Sequence, residues 1–137
     1  MNYWLIKSEP SAYSWEQLVN DGNTDWTGVR NYAARNNLKA MKKGDWCFFY
    51  HSNEGLEIVG IAKVAKEFFQ DPTTAERAWV CVNVVPLKKM KTAVTMVDVK
   101  KDKRLQNMDL LRISRLSVQT VKPDEAKIIC EMGGVKI

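Results

Sequence analysis

Hydrophobic and polar positions alternate between two periods along the chain. Residues 3–7 are apolar and aromatic, read as a first strand, and are stopped by Ser8-Glu9-Pro10. Ser14, with Gln17 three residues on, is a capping-box pattern that opens a helix. Trp15, Leu18 and Val19 form its expected buried stripe, and Asp21-Gly22 ends it. Residues 26–31 are a short extended or loop segment, followed by a second helix over 32–41 and a turn at Lys43-Gly44-Asp45.

The middle of the chain is strongly β. Residues 46–51, Trp46-Cys47-Phe48-Phe49-Tyr50-His51, are apolar at nearly every position, as in a strand buried on both faces. After the turn at Glu54-Gly55, residues 58–65 form another run. Gly60 within it signals a bend or a close backbone approach. Residues 79–87 are a third, valine-rich run. Thr95 and Asp102 are candidate caps of two short helices, and residues 115–121 are a last strand. Pro123 opens a final helix buried through Ile128, Ile129 and Met132 and ended by Gly133-Gly134. The expected class is α+β: a small mixed β-barrel decorated with short helices, with residues 1–137 forming one domain.

Composition narrows the function classes. A 45% hydrophobic and 27% charged chain of 137 residues is that of an ordinary globular protein, without linker or low-complexity tracts. The N-terminal apolar run is too short for a signal peptide, and no stretch approaches the roughly 20 apolar residues of a membrane span. Cys47, Cys81 and Cys130 are widely spaced and odd in number, which suits small buried hydrophobes in a reducing compartment, cytoplasmic, or nuclear in a eukaryote. The net charge of +5 attracts polyanions. The local runs Lys88-Lys89-Met90-Lys91 and Lys100-Lys101-Asp102-Lys103-Arg104 are expected on solvated loops or helix ends.

Several blocks then resemble one family. Tyr3-Trp4-Leu5-Ile6-Lys7-Ser8-Glu9-Pro10 with Tyr13-Ser14-Trp15 is similar to the opening motif of the EVE domain. Trp26-Thr27-Gly28-Val29-Arg30-Asn31-Tyr32-Ala33-Ala34-Arg35-Asn36 resembles its second block, and Gly44-Asp45 through Phe48-Phe49-Tyr50-His51-Ser52-Asn53 its third. Ile58-Val59-Gly60-Ile61-Ala62 with Asp71-Pro72-Thr73, and Arg115-Leu116-Ser117-Val118-Gln119, resemble the last two. Thr27 departs from the pattern, since many relatives carry an acidic residue there. The resemblance implies a PUA-like β-barrel related to the YTH and ASCH domains. It also implies binding of modified bases, notably modified cytosine in DNA, with RNA bases as an alternative. The nucleic acid is then the partner, and any effector is a separate protein.

The residues suit that task. Trp26 and Tyr32 can stack on a base, an interaction worth about 1–3 kcal/mol. Arg30 and Arg35 can hold a phosphate or a base edge, and Asn31 and Asn36 offer both donor and acceptor. Arg30 and Asn31 can equally cap the second helix and pair with carboxylates. Lys7 and Ser8 end the first strand, a common place for site residues, and Glu9 either reads an exocyclic amine or pairs with Arg30 or Arg35. His51 and Ser52 are expected to line or support the pocket, and Val29, Arg115 and Ser117 join it through the matching blocks. Trp4, Trp15, Trp46 and Trp79 are expected as packing residues. Trp26→Ala and Arg30→Ala are expected to weaken binding without lowering the melting temperature.

No cofactor and no metal is expected, because no zinc spacing, phosphate-binding loop or carboxylate cluster occurs. Two competing classes remain at this stage. One is an enzyme acting on a nucleotide or modified nucleobase through His51 and Glu9. The other is a protein-interaction or small-metabolite module that uses the same pocket.

Overall fold

The computed structural model describes residues 1–137. In chain order the elements are β1 (Tyr3–Ser8), α1 (Trp15–Asp21), β2 (Thr24–Asp25), α2 (Tyr32–Ala40), β3 (Trp46–His51), β4 (Glu57–Gln70) and β5 (Val80–Thr95). The helix α3 (Met96–Lys101), a 3₁₀ turn (Lys103–Leu105), α4 (Asp109–Arg112), β6 (Val118–Val121) and α5 (Pro123–Gly133) complete the chain. One six-stranded sheet runs in the order β2-β5-β4-β3-β1-β6; the β1–β3 pair is parallel and every other pair antiparallel. The α+β class is as expected.

The strand β3 is buried on both faces because a separate core lies on each side of the sheet. Cys47 and Phe49 enter one, with Trp4, Ile6, Trp15, Leu18 and Leu38; Phe48 and Tyr50 enter the other, with Leu5, Leu105 and Ile129. Alternation on a pleated strand serves both cores at once, so no polar position is left.

Local chemistry sets the ends of the helices. The Ser14 hydroxyl accepts the Gln17 N–H at 3.0 Å, and Gly22 closes α1 in the left-handed region at φ +78°. The Gln17 side chain donates instead to Asp21, so the expected capping box is only half formed. Val19 is 51% exposed, contrary to expectation. In this two-turn helix Trp15 and Leu18 already fill the core-facing stripe, and one further residue rotates about 100° away from it. Thr95 and Asp98 form a complete box at α3, and Asp102 caps the 3₁₀ turn through the Arg104 N–H.

The strands β4 and β5 extend well beyond the expected runs, to 14 and 16 residues. Lys88, Lys89 and Lys91 therefore stand on a strand rather than a loop, with Met90 buried between them. Backbone pairing with a long antiparallel neighbour holds polar segments in register where side-chain periodicity is silent. Four register shifts interrupt the β4–β5 ladder. Such bulges bend a strand and increase its twist.

The helix α2 packs on both β5 and β6, and its Asn37 side chain donates to the Val118 carbonyl at 2.7 Å. It thereby spans from β5, next to one edge of the sheet, to the edge strand β6. The segment before β6 is a turn and loop over residues 113–117, so Arg115 and Ser117 precede the strand rather than begin it.

Gly60 meets its expectation. A Cβ there would lie 2.6 Å from the Trp15 indole, which leaves no room for a side chain. Gly60→Ala is expected to lower stability by about 1–3 kcal/mol through overpacking, read as a lower urea midpoint at unchanged m-value. The three cysteines are free and buried, and no helix is long and apolar enough to cross a membrane.

Candidate functional site

A cavity of about 360 Å³ is lined by residues from both sides of the sheet, β2 at one edge and β1 with the turn before β6 at the other. Lys7 and Ser8 at the end of β1, together with Ser117 before β6, form one wall. The opposite wall is β2 and its following loop, from Thr24 through Arg30, and Ala12 and Tyr13 close the side. The site thus joins residues that are far apart in both sequence and strand order.

Trp26 is the main aromatic surface. Its backbone N–H donates to the Val82 carbonyl at 2.8 Å. Its ring meets Phe49 and Tyr13 edge-on, at centroid distances of 5.5 and 6.2 Å. Only 8% of the residue is exposed, so Trp26 belongs to the pocket wall and to the core together.

The loop after it is tied to Asp71, just beyond β4. The fully buried Asp71 carboxylate accepts from the Gly28 N–H at 2.8 Å and from Arg30 Nη1 at 2.9 Å through Oδ2. Its Oδ1 accepts the Thr73 N–H at 2.7 Å and the Thr73 hydroxyl at 2.6 Å. Burial alone would raise the carboxyl pKa, but these four donors outweigh it and hold the group well below the usual carboxylate range. Gly28 sits at φ +84°, where a Cβ would strain the backbone even though the space is open. Arg30 also donates to Thr73 Oγ1 at 3.0 Å, which directs its guanidinium along the pocket rim.

On the opposite wall the Lys7 ammonium donates to the Ser114 carbonyl at 2.7 Å, and burial lowers its pKa from the ordinary lysine value. The Lys7 N–H donates to the Ser117 carbonyl at 3.0 Å, and the Ser8 hydroxyl donates to the Tyr13 carbonyl at 2.6 Å. The result is one aromatic wall, two cationic side chains and several hydroxyls around a space large enough for a small planar ligand.

The chain matches the EVE domain family over residues 2–132. It belongs to that family. Mouse thymocyte nuclear protein 1 is 34% identical over 165 residues, covering 96% of this chain and 73% of the mouse protein. A Rhodopseudomonas palustris protein solved by NMR is 51% identical and superposes with a TM-score of 0.93 over 98% of this chain and 94% of its own. Human THYN1 protein, solved in complex with 5-methylcytosine-containing DNA, is 31% identical with a TM-score of 0.91 over the whole of both chains. The YTH domain of Zygosaccharomyces rouxii MRB1, solved with N6-methyladenosine RNA, shares the fold at 14% identity and a TM-score of 0.63, covering 96% of this chain and 85% of its own.

Of the residues singled out in the sequence, Lys7, Ser8, Trp26, Val29, Arg30 and Ser117 line the pocket of this EVE domain. Others lie elsewhere. Asn31 is the N-cap of α2, its side chain accepting the Ala34 N–H at 3.0 Å, and the exposed Asn36 accepts from Arg35 Nε at 2.9 Å. Tyr32 stands outside the cavity on the ring of Trp79. His51 and Ser52 support the site without lining it. The His51 Nε2 accepts the Trp15 N–H at 3.1 Å at the start of α1, and the Ser52 N–H donates to the Ser8 carbonyl at 2.9 Å. Burial lowers the His51 pKa, against the pull of Glu16 and Glu57. Arg115 is exposed and outside the cavity lining.

Glu9 forms no ion pair with Arg30 or Arg35; Arg30 is held by Asp71, and Arg35 donates to the Ala78 carbonyl at 2.9 Å. Asp71 and Thr73 fix the loop that carries Gly28 and Arg30, a role that the sequence does not assign to them. Asp71-Pro72-Thr73 does carry a turn signal. Its partners lie about 40 residues away across the sheet, and no local pattern announces that.

Proposed function

We propose that this EVE domain is a reader that binds one modified base of DNA or RNA in the pocket beside Trp26, without altering it chemically. The observation that carries the reading is the pairing of an aromatic wall with Lys7, Ser8, Arg30 and Ser117 in a cavity of about 360 Å³. The complex of human THYN1 protein with 5-methylcytosine-containing DNA supports it. Trp26 supplies the apolar surface, the hydroxyls and peptide groups meet the base edge, and Lys7 and Arg30 face the phosphates. A base taken from a duplex must first leave the stack, at a cost of a few kcal/mol.

Discrimination follows from the same groups. Burying one methyl group contributes about 0.8 kcal/mol, roughly a fourfold preference. A wrong base edge leaves pocket polar groups unpaired at about 1–3 kcal/mol each. Such a pocket is strict about base type and modest about a single methyl.

An enzymatic reading through His51 and Glu9 finds little support. Neither residue lines the cavity, and the His51 Nε2 lone pair is already taken by the Trp15 N–H. A general base must reach the proton that it removes.

The test uses fluorescence polarisation with short DNA and RNA oligonucleotides bearing unmodified or methylated cytosine or N6-methyladenine, at two salt concentrations. One modified base should be preferred, and the preference should survive high salt. Ser117→Phe, which projects a ring into the cavity, should lower affinity at least tenfold while thermal unfolding stays near wild type. Equal, salt-sensitive binding to every oligonucleotide, unaffected by Ser117→Phe, would mean that only the basic surface is at work.

A further inference from the structure

A second aromatic feature begins where the pocket ends. Arg30, on the pocket rim, places its guanidinium 5.7 Å from the centre of the Trp79 ring. Trp79 lies 4.9 Å from Tyr32 with the two rings tilted by 33°. Arg35 then sits 5.1 Å from the centre of the Tyr32 ring. The four side chains form a row, two stacked aromatic rings flanked by a guanidinium at each end, that leads away from the cavity.

Packing does not account for the outer half of this row. Trp79 is buried and anchored by its Nε1–H, which donates to Glu76 at 2.8 Å. Tyr32 adds a ring on its far side yet is 62% exposed, more than any other aromatic residue. Arg35 is held by the Ala78 carbonyl and the Asn36 side chain, and no carboxylate neutralises it. An aromatic ring this exposed, beside a guanidinium that no carboxylate neutralises, offers the stacking surface and the cation that a base and its phosphate require together.

We infer that the Tyr32 face is a second nucleotide site, on which the base adjacent to the one in the pocket stacks while Arg35 meets its phosphate. The inference rests on the pocket reading, because Arg30 joins the two sites. It also names the substrate class. A neighbouring base inside a continuous duplex is already stacked and paired, whereas one in a single strand, a loop or an end is free to turn onto Tyr32. The protein therefore prefers an unpaired strand to a duplex carrying the same target base.

The test compares the target mononucleotide, the same base with one neighbour on either side, and that sequence within a duplex, each read by competition. The wild type should gain about 5- to 100-fold from mononucleotide to trinucleotide, the range expected of one stacked base. It should bind the single strand more tightly than the duplex. In Tyr32→Ala the ratio of trinucleotide to mononucleotide affinity should collapse toward one, and Tyr32→Phe should restore it. An unchanged ratio in Tyr32→Ala, or tighter binding of the duplex, overturns the inference and leaves the pocket reading standing. Loss of the pocket reading looks different: Ser117→Phe would bind every oligonucleotide as the wild type does, while the Tyr32 effect persisted.

Discussion

Trp26→Ala is expected to destabilise the fold by about 3–5 kcal/mol, the range for emptying a buried aromatic site. In a chain of this size that lowers Tm by on the order of 10 °C or more. The reason is the double position of the indole. It lines the cavity, but its edge contacts with Phe49 and Tyr13 and its burial make it part of the core shared with Trp4, Trp15 and Leu38. This corrects the expectation of a binding defect at wild-type melting temperature. Chemical denaturation measures the loss directly, and Trp26→Phe should recover much of it. A Tm within a degree or two of wild type would show that the indole carries no core packing. Affinity lost in Trp26→Ala alone is therefore ambiguous, and filling the cavity at Ser117 separates binding from folding.

Asp71→Asn is expected to loosen the loop that carries Gly28 and Arg30. Four donors converge on the two carboxylate oxygens. An amide offers one oxygen and turns N–H groups of its own toward the remaining donors, so at least one buried donor loses its partner, at about 1–3 kcal/mol. The effect is linked to pH. The carboxyl pKa is depressed in the folded protein, while the unfolded chain titrates near the usual value of about 3.9. Below that value the unfolded chain binds the proton that the folded carboxylate refuses. The stabilisation is complete above about pH 5 and is lost as pH falls through 4 and below. The stability gap between wild type and Asp71→Asn, followed by urea unfolding from pH 7 to pH 3, should narrow as pH falls. A gap independent of pH would mean that Asp71 acts by shape rather than by charge. Oligonucleotide affinity should fall as well, since Arg30 loses the partner that orients it.

Much of the fold is legible wherever the determining interaction is local. The Ser14 cap, the left-handed Gly22, Pro123 at the start of α5 and the doubly apolar run 46–51 each act within a few residues, and each appears where expected. Gly60 announced a close approach, although nothing nearby identified Trp15 as its neighbour. The site divides along the same line. Lys7, Ser8, Trp26, Arg30 and Ser117 are of types suited to base binding, and the structure brings them to one cavity. Asn31, Asn36 and His51 are of equally suitable types but are consumed by a helix cap, an arginine and a peptide N–H.

Most of the strands and helices and the chemical inventory follow from the chain alone, because caps, turns and side-chain alternation are short-range; the two-residue β2 and the four-residue α4 carry no such signal. Only packing settles that β2 and the end of β1 face one cavity, that Asp71 rather than Glu9 holds Arg30, and that Trp26 serves core and pocket at once. Those outcomes rest on contacts between residues about 40 apart in the chain, such as Asp71 with Gly28 and Arg30, across a sheet whose longest ladder carries four register shifts. Long-range pairing of that kind, with the twist and bends that bulges add, sums over many residues and leaves no mark on any one of them.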